Sequence, residues 1–347
     1  MTELDIASLP APRGAACVNW SPSLAHAPRD KHGLCPLTLE RFVRFLCKRA
    51  RVVAQLSDAH PDYVQACTAG GTPYRHLDES LRAVGASLRD ALRPMFAGRD
   101  PDAAAEHVLS LALRATVLHL AMGRPATFVE WRAWQGAGGV GLPTSDADLV
   151  SFRAFLLETG AKRDGEREPL FGNAYQTRGY TRTANLVTQL LAKSRALAAK
   201  MRAERTWEAT VGHMISDLEE VAGFFGGQAL CYIYHGVVGG DAPGGPFRTR
   251  LLPNLDPVSL MKFATPGGGP KESLAAIFGP RMRGSHAEKI AWLAANADKL
   301  LAWAGLAADF PWEPAPDALL DGAVRGGAPA GKRPISAVDV ENMLCFI

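Results

Sequence analysis

Residues 263–279 read FATPGGGPKESLAAIFG: three glycines between two prolines, in surroundings that otherwise look helical. The residues just before, NLDPVSLMKFA at 254–264, carry start signals of their own. Asp256 suits an N-cap, Pro257 the first helical turn, and Leu260, Met261 and Phe263 an apolar stripe. Past the glycines, Pro270 again marks a helix start. Glu272 follows in the first turn, where an acid complements the helix dipole, and Leu274, Ile277 and Phe278 give the next apolar face. The reading is helix, tight glycine hairpin, helix over 256–279. Such a hairpin exposes the amides of Gly267, Gly268 and Gly269 at a helix N-terminus, a ready anion site with Lys271 beside it. Two meanings stay open. One is a clamp for nucleic-acid phosphates, which are held by amides and Lys/Arg without regard to sequence. The other is a helix-to-helix turn in which glycine only relieves crowding.

Working outward, helical periodicity dominates. Residues 1–36 are rich in Pro, Ala and small polar residues and read as an extended arm. The helix LTLERFVRFLCKRARVVAQL (37–56) puts Phe42, Phe45, Leu46, Val52, Val53 and Leu56 on one face. Arg41, Arg44, Lys48 and Arg51 share another, either a solvated face or a phosphate-binding stripe. Further helices are expected over 74–96, over 101–123 with Pro101 and Asp102 at its start, and over 145–157. A long one follows from about Thr183. Its entry interleaves Tyr175, Arg178, Tyr180 and Arg182, residue types that stack on bases and hold phosphates but also form the rim of an ordinary core. The segment 206–238 continues helically, although ALCYIYHGVV (229–238) has the composition of a strand. Ser285 and Glu288 spell a capping box for a helix reaching about Trp303. A Pro/Gly-rich tail, GGAPAGKRP, precedes a short last helix at SAVDVENMLCFI. The fold class is all-α. The organisation is an arm (1–36), a helical core (37–310) holding the hairpin at 256–279, and a tail with a C-terminal helix (311–347).

With 347 residues, 47% hydrophobic and 21% charged, the chain has the composition of a soluble globular protein. Its formal net charge of +3 means that nucleic-acid binding must come from local basic patches. No apolar run approaches the roughly 18–20 residues of a membrane span, and the acidic start MTELDIASLP is neither a signal nor a transit sequence. Six scattered cysteines without a CxxC pair suggest neither zinc nor disulfides, but reduced thiols in a cytoplasm. Two motifs mislead. GAGGVG at 136–141 matches a dinucleotide fingerprint but follows a helix-like WRAWQ rather than a strand. GGAPAGKR at 326–333 nearly spells a P-loop, but Arg333 stands where Ser or Thr must reach magnesium.

Taken in order, LHLAMGRPATFVEW, LFGNAYQTRG, VAGFFGGQALCYIYH, FATPGGGPKESLAAIFG and DVENMLCFI resemble the motifs of the alpha-glutamyl/putrescinyl thymine pyrophosphorylases, or amino acid:DNA transferases. That family shows a G-F-x-x-x-Q/E helix, an N-P-G-P-G-x-x-x-G-L hairpin and an E-H-x-L-C-E-F ending. The resemblance spans about 41–347 and is most specific in the hairpin and in Leu344-Cys345-Phe346. Tyr232 and Ile233 stand where many relatives have Asp-Leu, and no Glu follows Cys345.

The resemblance implies a fold related to the helix-hairpin-helix DNA glycosylases, which agrees with the reading of 256–279. It also implies a phage transferase of thymine hypermodification, working in the host cytoplasm downstream of a DNA kinase. Its substrate is DNA carrying pyrophosphorylated 5-hydroxymethyluracil, and an amine donor replaces the pyrophosphate. The chemistry suggests roles. Addition of a thiolate at C6 of the ring would help expel pyrophosphate, and Cys345 is the candidate, its alternative being a small buried apolar residue. The amine must be neutral to attack, so a base is needed from among Glu341, Asp339, Glu219, Glu220 and His235. The base must leave the stack; Tyr175, Tyr180 or Tyr232 could receive it, and Arg178, Arg182, Lys271, Arg281 or Arg283 could hold phosphate charge. The arginines near the tyrosine-rich entry lean toward an amino-acid donor, glycine first. A divalent cation could help the leaving pyrophosphate, but no ligand cluster stands out, and no bound metal or cofactor is expected. The rival readings are a glycosylase, disfavoured because no aspartate follows the hairpin before Asp298, and a non-catalytic DNA-binding protein.

Overall fold

The computed structural model describes residues 6–13, 28–30, 33–54, 79–97, 99–138, 141–163, 179–259, 262–314 and 328–345. In chain order the helices are α1 (Pro36–Val53), α2 (Glu79–Leu92), α3 (Pro101–Met122), α4 (Ala126–Trp134), α5 (Asp146–Arg163), α6 (Gly179–Ala203), α7 (Trp207–Asp217) and α8 (Gly223–Cys231). A π-helix, Tyr232–Val238, continues α8 directly. Then come α9 (Pro246–Arg250), α10 (Gly268–Ile277), α11 (His286–Ala295), α12 (Ala297–Trp303) and α13 (Ala337–Leu344). Short 3-10 turns occupy Ile6–Ser8 and Arg93–Phe96. Among the described residues there is no strand, only isolated bridges at Leu34 with Phe278 and Pro314 with Lys332. The fold is all-α. No helix among the described residues is long and apolar enough to cross a membrane.

The chain divides into two compact units, Met1–Asp78 with Asp256–Ile347, and Glu79–Leu255. The second unit is built around α3, which is apolar on nearly every side and is buried between α6 and its other neighbours. Asp100 caps it by accepting from the Ala103 amide, with Pro101 in the first turn. Gly123 ends it in the left-handed conformation (φ 58°), its amide donating to the His119 carbonyl. Helix α4 adds Phe128 and Trp131 to this core, and α5 adds Phe152 and Phe155, with the Trp131 indole donating to Ser151. The segment 229–238, strand-like in composition, is helical. Its apolar run fits a buried helix as well as a strand, and its glycine decides the matter. Gly236 meets Gly85 of α2 backbone to backbone, and Arg89 donates to the Gly236 carbonyl. The Gly239 amide reaches back five residues to Tyr234, which gives this turn its wide π form.

His119 lies in that core, its ring stacked near Phe128 and 5.6 Å from the ring of Tyr232. Burial pushes its imidazole down to about 4. A histidine that resists protonation when folded takes up its proton first in the unfolded chain. Its contribution is therefore complete above pH 6.5 and is lost as pH falls from 6.5 toward 4, by up to about 3 kcal/mol. Chemical denaturation across that range is expected to show this loss in the wild type and a shallower one in His119→Leu. Equal slopes would contradict the assignment.

In the first unit α1 packs on α12 and α10, while α13 packs on both α10 and α11. Its core includes Leu39, Phe42, Leu46, Leu274, Ile277, Phe278, Leu300, Val340 and Met343. Part of the expected arm rides on this core: the Arg13 amide donates to Glu40, and Trp303 donates to the Pro10 carbonyl. The Cys35 amide donates to the Ile277 carbonyl, and Arg29 reaches the carbonyls of Gly33 and Ala275. Two members of the basic stripe of α1 are tied into the structure. Arg44 pairs with Glu40 at 2.8 Å and donates to the Ala304 carbonyl, and Arg51 donates to the Asp309 carbonyl. The Ser285–Glu288 capping box forms with both of its bonds, but the helix breaks at Asn296 before α12 resumes.

Candidate functional site

The glycine stretch takes a form that sequence alone does not give. Asp256 caps a turn, its carboxylate accepting from the Val258 amide and its carbonyl from Ser259, whereas Leu260 and Met261 lie outside the described residues. The helix expected before the glycines does not form among the described residues: 263–267 lie outside any helix or strand, with Gly267 extended, and α10 begins at Gly268, so that Pro270 is its third residue rather than its first. None of the three glycines adopts a positive φ; Gly267, the N-cap, sits at φ −77°. Their value is not a left-handed turn. Glycine offers no capping side chain, and no acceptor among the described residues meets the amides of Gly268 and Gly269. These two donors lie at the positive end of the helix dipole, with Lys271 exposed in the next position but one.

The C-terminal helix delivers its last residues to the same place. Ser336 and Asp339 close a capping box that starts α13. Ser273 of α10 donates to the Leu344 carbonyl at 2.9 Å inside the core, and this fixes the end of α13 against α10. A Cβ built on Gly269 would stand 3.7 Å from the Cys345 Cα and carbonyl oxygen. Cys345 is exposed, and its thiol donates to Glu341 Oε1 at 3.9 Å. Glu341, one helical turn earlier, is buried. The thiol and the buried carboxylate thus sit at the end of α13, where the Cys345 backbone meets Gly269 at the start of α10, all within one unit.

Arg281 and Arg283 are exposed on the loop between α10 and α11. The His286 imidazole, first in α11, is held below its usual value by desolvation first, then by Lys289 and Lys271. The starts of α10 and α11 therefore share one positive environment. Sequence reading missed His286 and Lys289; their place one turn apart behind a capping box was the available signal.

Tyr232 and His235 belong to the second unit, where both are buried on the π-helix. Tyr232 hydrogen-bonds Ser80 through its hydroxyl, and His235 packs edge-on against Tyr234, with ring centroids 5.0 Å apart. Tyr180 lays its ring on Gly160, where a Cβ would come within 2.3 Å of it, so α5 and α6 meet there. Arg182 is exposed, whereas Tyr175 and Arg178 lie outside the described residues. Asp339 is engaged with the Ser336 amide and hydroxyl at 2.8 and 2.7 Å, which leaves Glu341 as the carboxylate beside the thiol. Among the described residues no group of His, Cys, Asp and Glu could hold a metal ion.

No protein-family model, curated protein or solved structure matches the chain.

Proposed function

We propose that this chain is a phage DNA-hypermodification transferase. It replaces the pyrophosphate on 5-pyrophosphoryloxymethyl-deoxyuridine in DNA with an amine donor, glycine first among amino acids, and releases pyrophosphate. In this reading it acts in the cytoplasm of the infected host, after a DNA kinase has loaded the base, on a helix-hairpin-helix scaffold of the DNA-glycosylase kind. The observation that carries it is the pairing of the Cys345 thiol with the Glu341 carboxylate at the end of α13, where the Cys345 backbone meets Gly269 at the start of α10. The motif resemblance in the same two stretches supports it from the side of sequence.

The steps balance as follows. Glu341 takes the thiol proton, and the thiolate adds to C6, moving the C5–C6 pair onto the C4 oxygen as an enolate. The enolate collapses to an exocyclic methylene, breaking the carbon–oxygen bond, and pyrophosphate leaves with that pair. The Gly268 and Gly269 amides, with Lys271, Arg281 and Arg283 nearby, meet the charge of DNA phosphate or of the departing group. The neutral amine adds to the methylene and gives up a proton to a base. The renewed enolate then expels the thiolate and restores the ring. The target base reaches the thiol by leaving the stack.

The test is nucleoside mass spectrometry after incubating the protein with DNA carrying the pyrophosphorylated base and, separately, glycine, glutamate or putrescine. A donor-dependent mass gain with released pyrophosphate is expected. Free base instead would mean an excision enzyme, and an unaltered nucleoside with every donor would leave only a DNA-binding protein.

A further inference from the structure

The outer face of α5 is apolar where a surface helix is ordinarily polar. Leu149, Phe152, Phe155 and Leu156 turn inward and are buried in the core of the second unit. On the opposite side Ala147, Val150, Ala154 and Leu157 are all exposed, Val150 by 59% and Leu157 by 39%. Their spacing of three, four and three residues is that of a coiled-coil seam, with the alanines at a positions and Val150 and Leu157 at d. Trp134 of α4 widens this surface. Its ring lies 6.0 Å from that of Phe155, Gln135 beside it donates to Ser151 at 2.7 Å, and Trp134 is still 41% exposed. Single exposed apolar residues need no explanation, but a seam in register with a large aromatic at its edge marks an interaction surface.

The charges along the seam indicate what covers it. Arg153 occupies the g position on one flank and Glu158 the e position on the other, and both are exposed. Arg153 has no ion pair among the described residues. Glu158 has contacts of its own, but a carboxylate accepts from more than one donor. In a parallel pair of helices each g position faces the e position of the partner's next heptad. Two copies of α5 laid side by side therefore set Arg153 of each against Glu158 of the other. The earlier g position, Asp146, is held by Arg114 and faces only Ser151 in that register. An antiparallel pair overlapping along the whole seam would bring Arg153 against Arg153. The surface is thus complementary to itself about a two-fold axis along the helix.

We propose that α5 is the contact of a parallel, two-fold homodimer. Ala147, Val150, Ala154 and Leu157 of one copy pack on the same residues of a second, and Arg153 pairs with Glu158 across the seam. The seam spans about 15 Å of helix, short for a standard interface, so the dimer is reversible and concentration-dependent. The proposal does not depend on the transferase reading, because association is measured without DNA or an amine donor.

Sedimentation velocity of the full chain from about 1 to about 100 μM, at low ionic strength, reads the association. A rise from monomer toward dimer mass is expected. Val150→Glu/Leu157→Glu should weaken it by about tenfold or more, with far-ultraviolet circular dichroism as the folding control. Arg153→Glu and Glu158→Arg each set like charges across the seam and should each weaken it by roughly threefold to tenfold. Arg153→Glu/Glu158→Arg in one chain should recover it. A monomer at every concentration would overturn the proposal and leave the face to a different partner. So would a dimer indifferent to Val150→Glu/Leu157→Glu, and a combined charge exchange that recovers nothing would overturn the parallel register.

Discussion

Replacing Cys345 with alanine is expected to reduce transfer to DNA by on the order of 10³-fold or more while leaving thermal stability close to wild type. The stability half of this expectation follows from position. Cys345 is exposed at the C-cap of α13, where its thiol fills no cavity. The activity half follows from electrostatics that at first oppose a thiolate. The negative end of the α13 dipole and the Glu341 carboxylate both disfavour charge on sulfur, while the amide-bearing start of α10 favours it. A thiol so placed is better activated by proton transfer at the moment of attack than by standing deprotonation. Glu341, whose Oε1 accepts from Sγ at 3.9 Å, is the base within reach. Glu341→Gln should therefore cost about 10²–10³-fold in turnover. Donor-dependent nucleoside formation, followed by mass spectrometry, reads both variants. Full turnover by Cys345→Ala would remove the covalent route and leave direct displacement, whatever the standing of the transferase itself.

What sequence could and could not foresee divides along physical lines. Local signals served well where one residue answers one backbone demand. Pro101 and Asp102 stand in the first turn of α3 as expected, although its cap, Asp100, was not singled out; Ser285 and Glu288 closed both bonds of their box, and Asp256 capped a turn at its expected place. Cys345 and Glu341 were both among the candidates, but the choice of Glu341 from five possible bases was not legible; it rests on the contact of its Oε1 with the thiol. The glycines at 267–269 were misjudged in conformation because glycine permits a tight hairpin without requiring one, and here the chain enters α10 through an extended Gly267. Tyr232 and His235 looked available because aromatic and imidazole side chains suit a site. Their burial on a π-helix depends on long-range packing that no local pattern reports. The bonds of the buried Arg114 guanidinium escaped for a similar reason: Ser194 comes to it from α6 and Asp146 from the start of α5, both distant in sequence.

The packing of α2 on the π-helix makes Gly85→Ala the substitution with the largest expected structural cost. A Cβ at Gly85 would stand 2.2 Å from both the carbonyl carbon and the oxygen of Gly236. From the other side, a Cβ at Gly236 would come within 2.6 Å of the Leu81 carbonyl oxygen. These obstacles are backbone atoms, so no side chain can turn aside. Relief requires the two helices to move apart, and that strains the Arg89 bond to the Gly236 carbonyl and the Tyr232 bond to Ser80. Ordinary over-packing of a core costs about 1–3 kcal/mol because side chains share the adjustment. With that route closed, about 4 kcal/mol is expected, beyond the usual range for over-packing. For a unit of this size such a loss corresponds to a melting temperature lower by roughly 8–16 °C. Far-ultraviolet circular dichroism should show the earlier melt. Gly268→Ala, at a position open to solvent, should differ from wild type by no more than about 1 kcal/mol. If Gly85→Ala melted with the wild type, the close approach of these helices could not be what holds the π-helix in place.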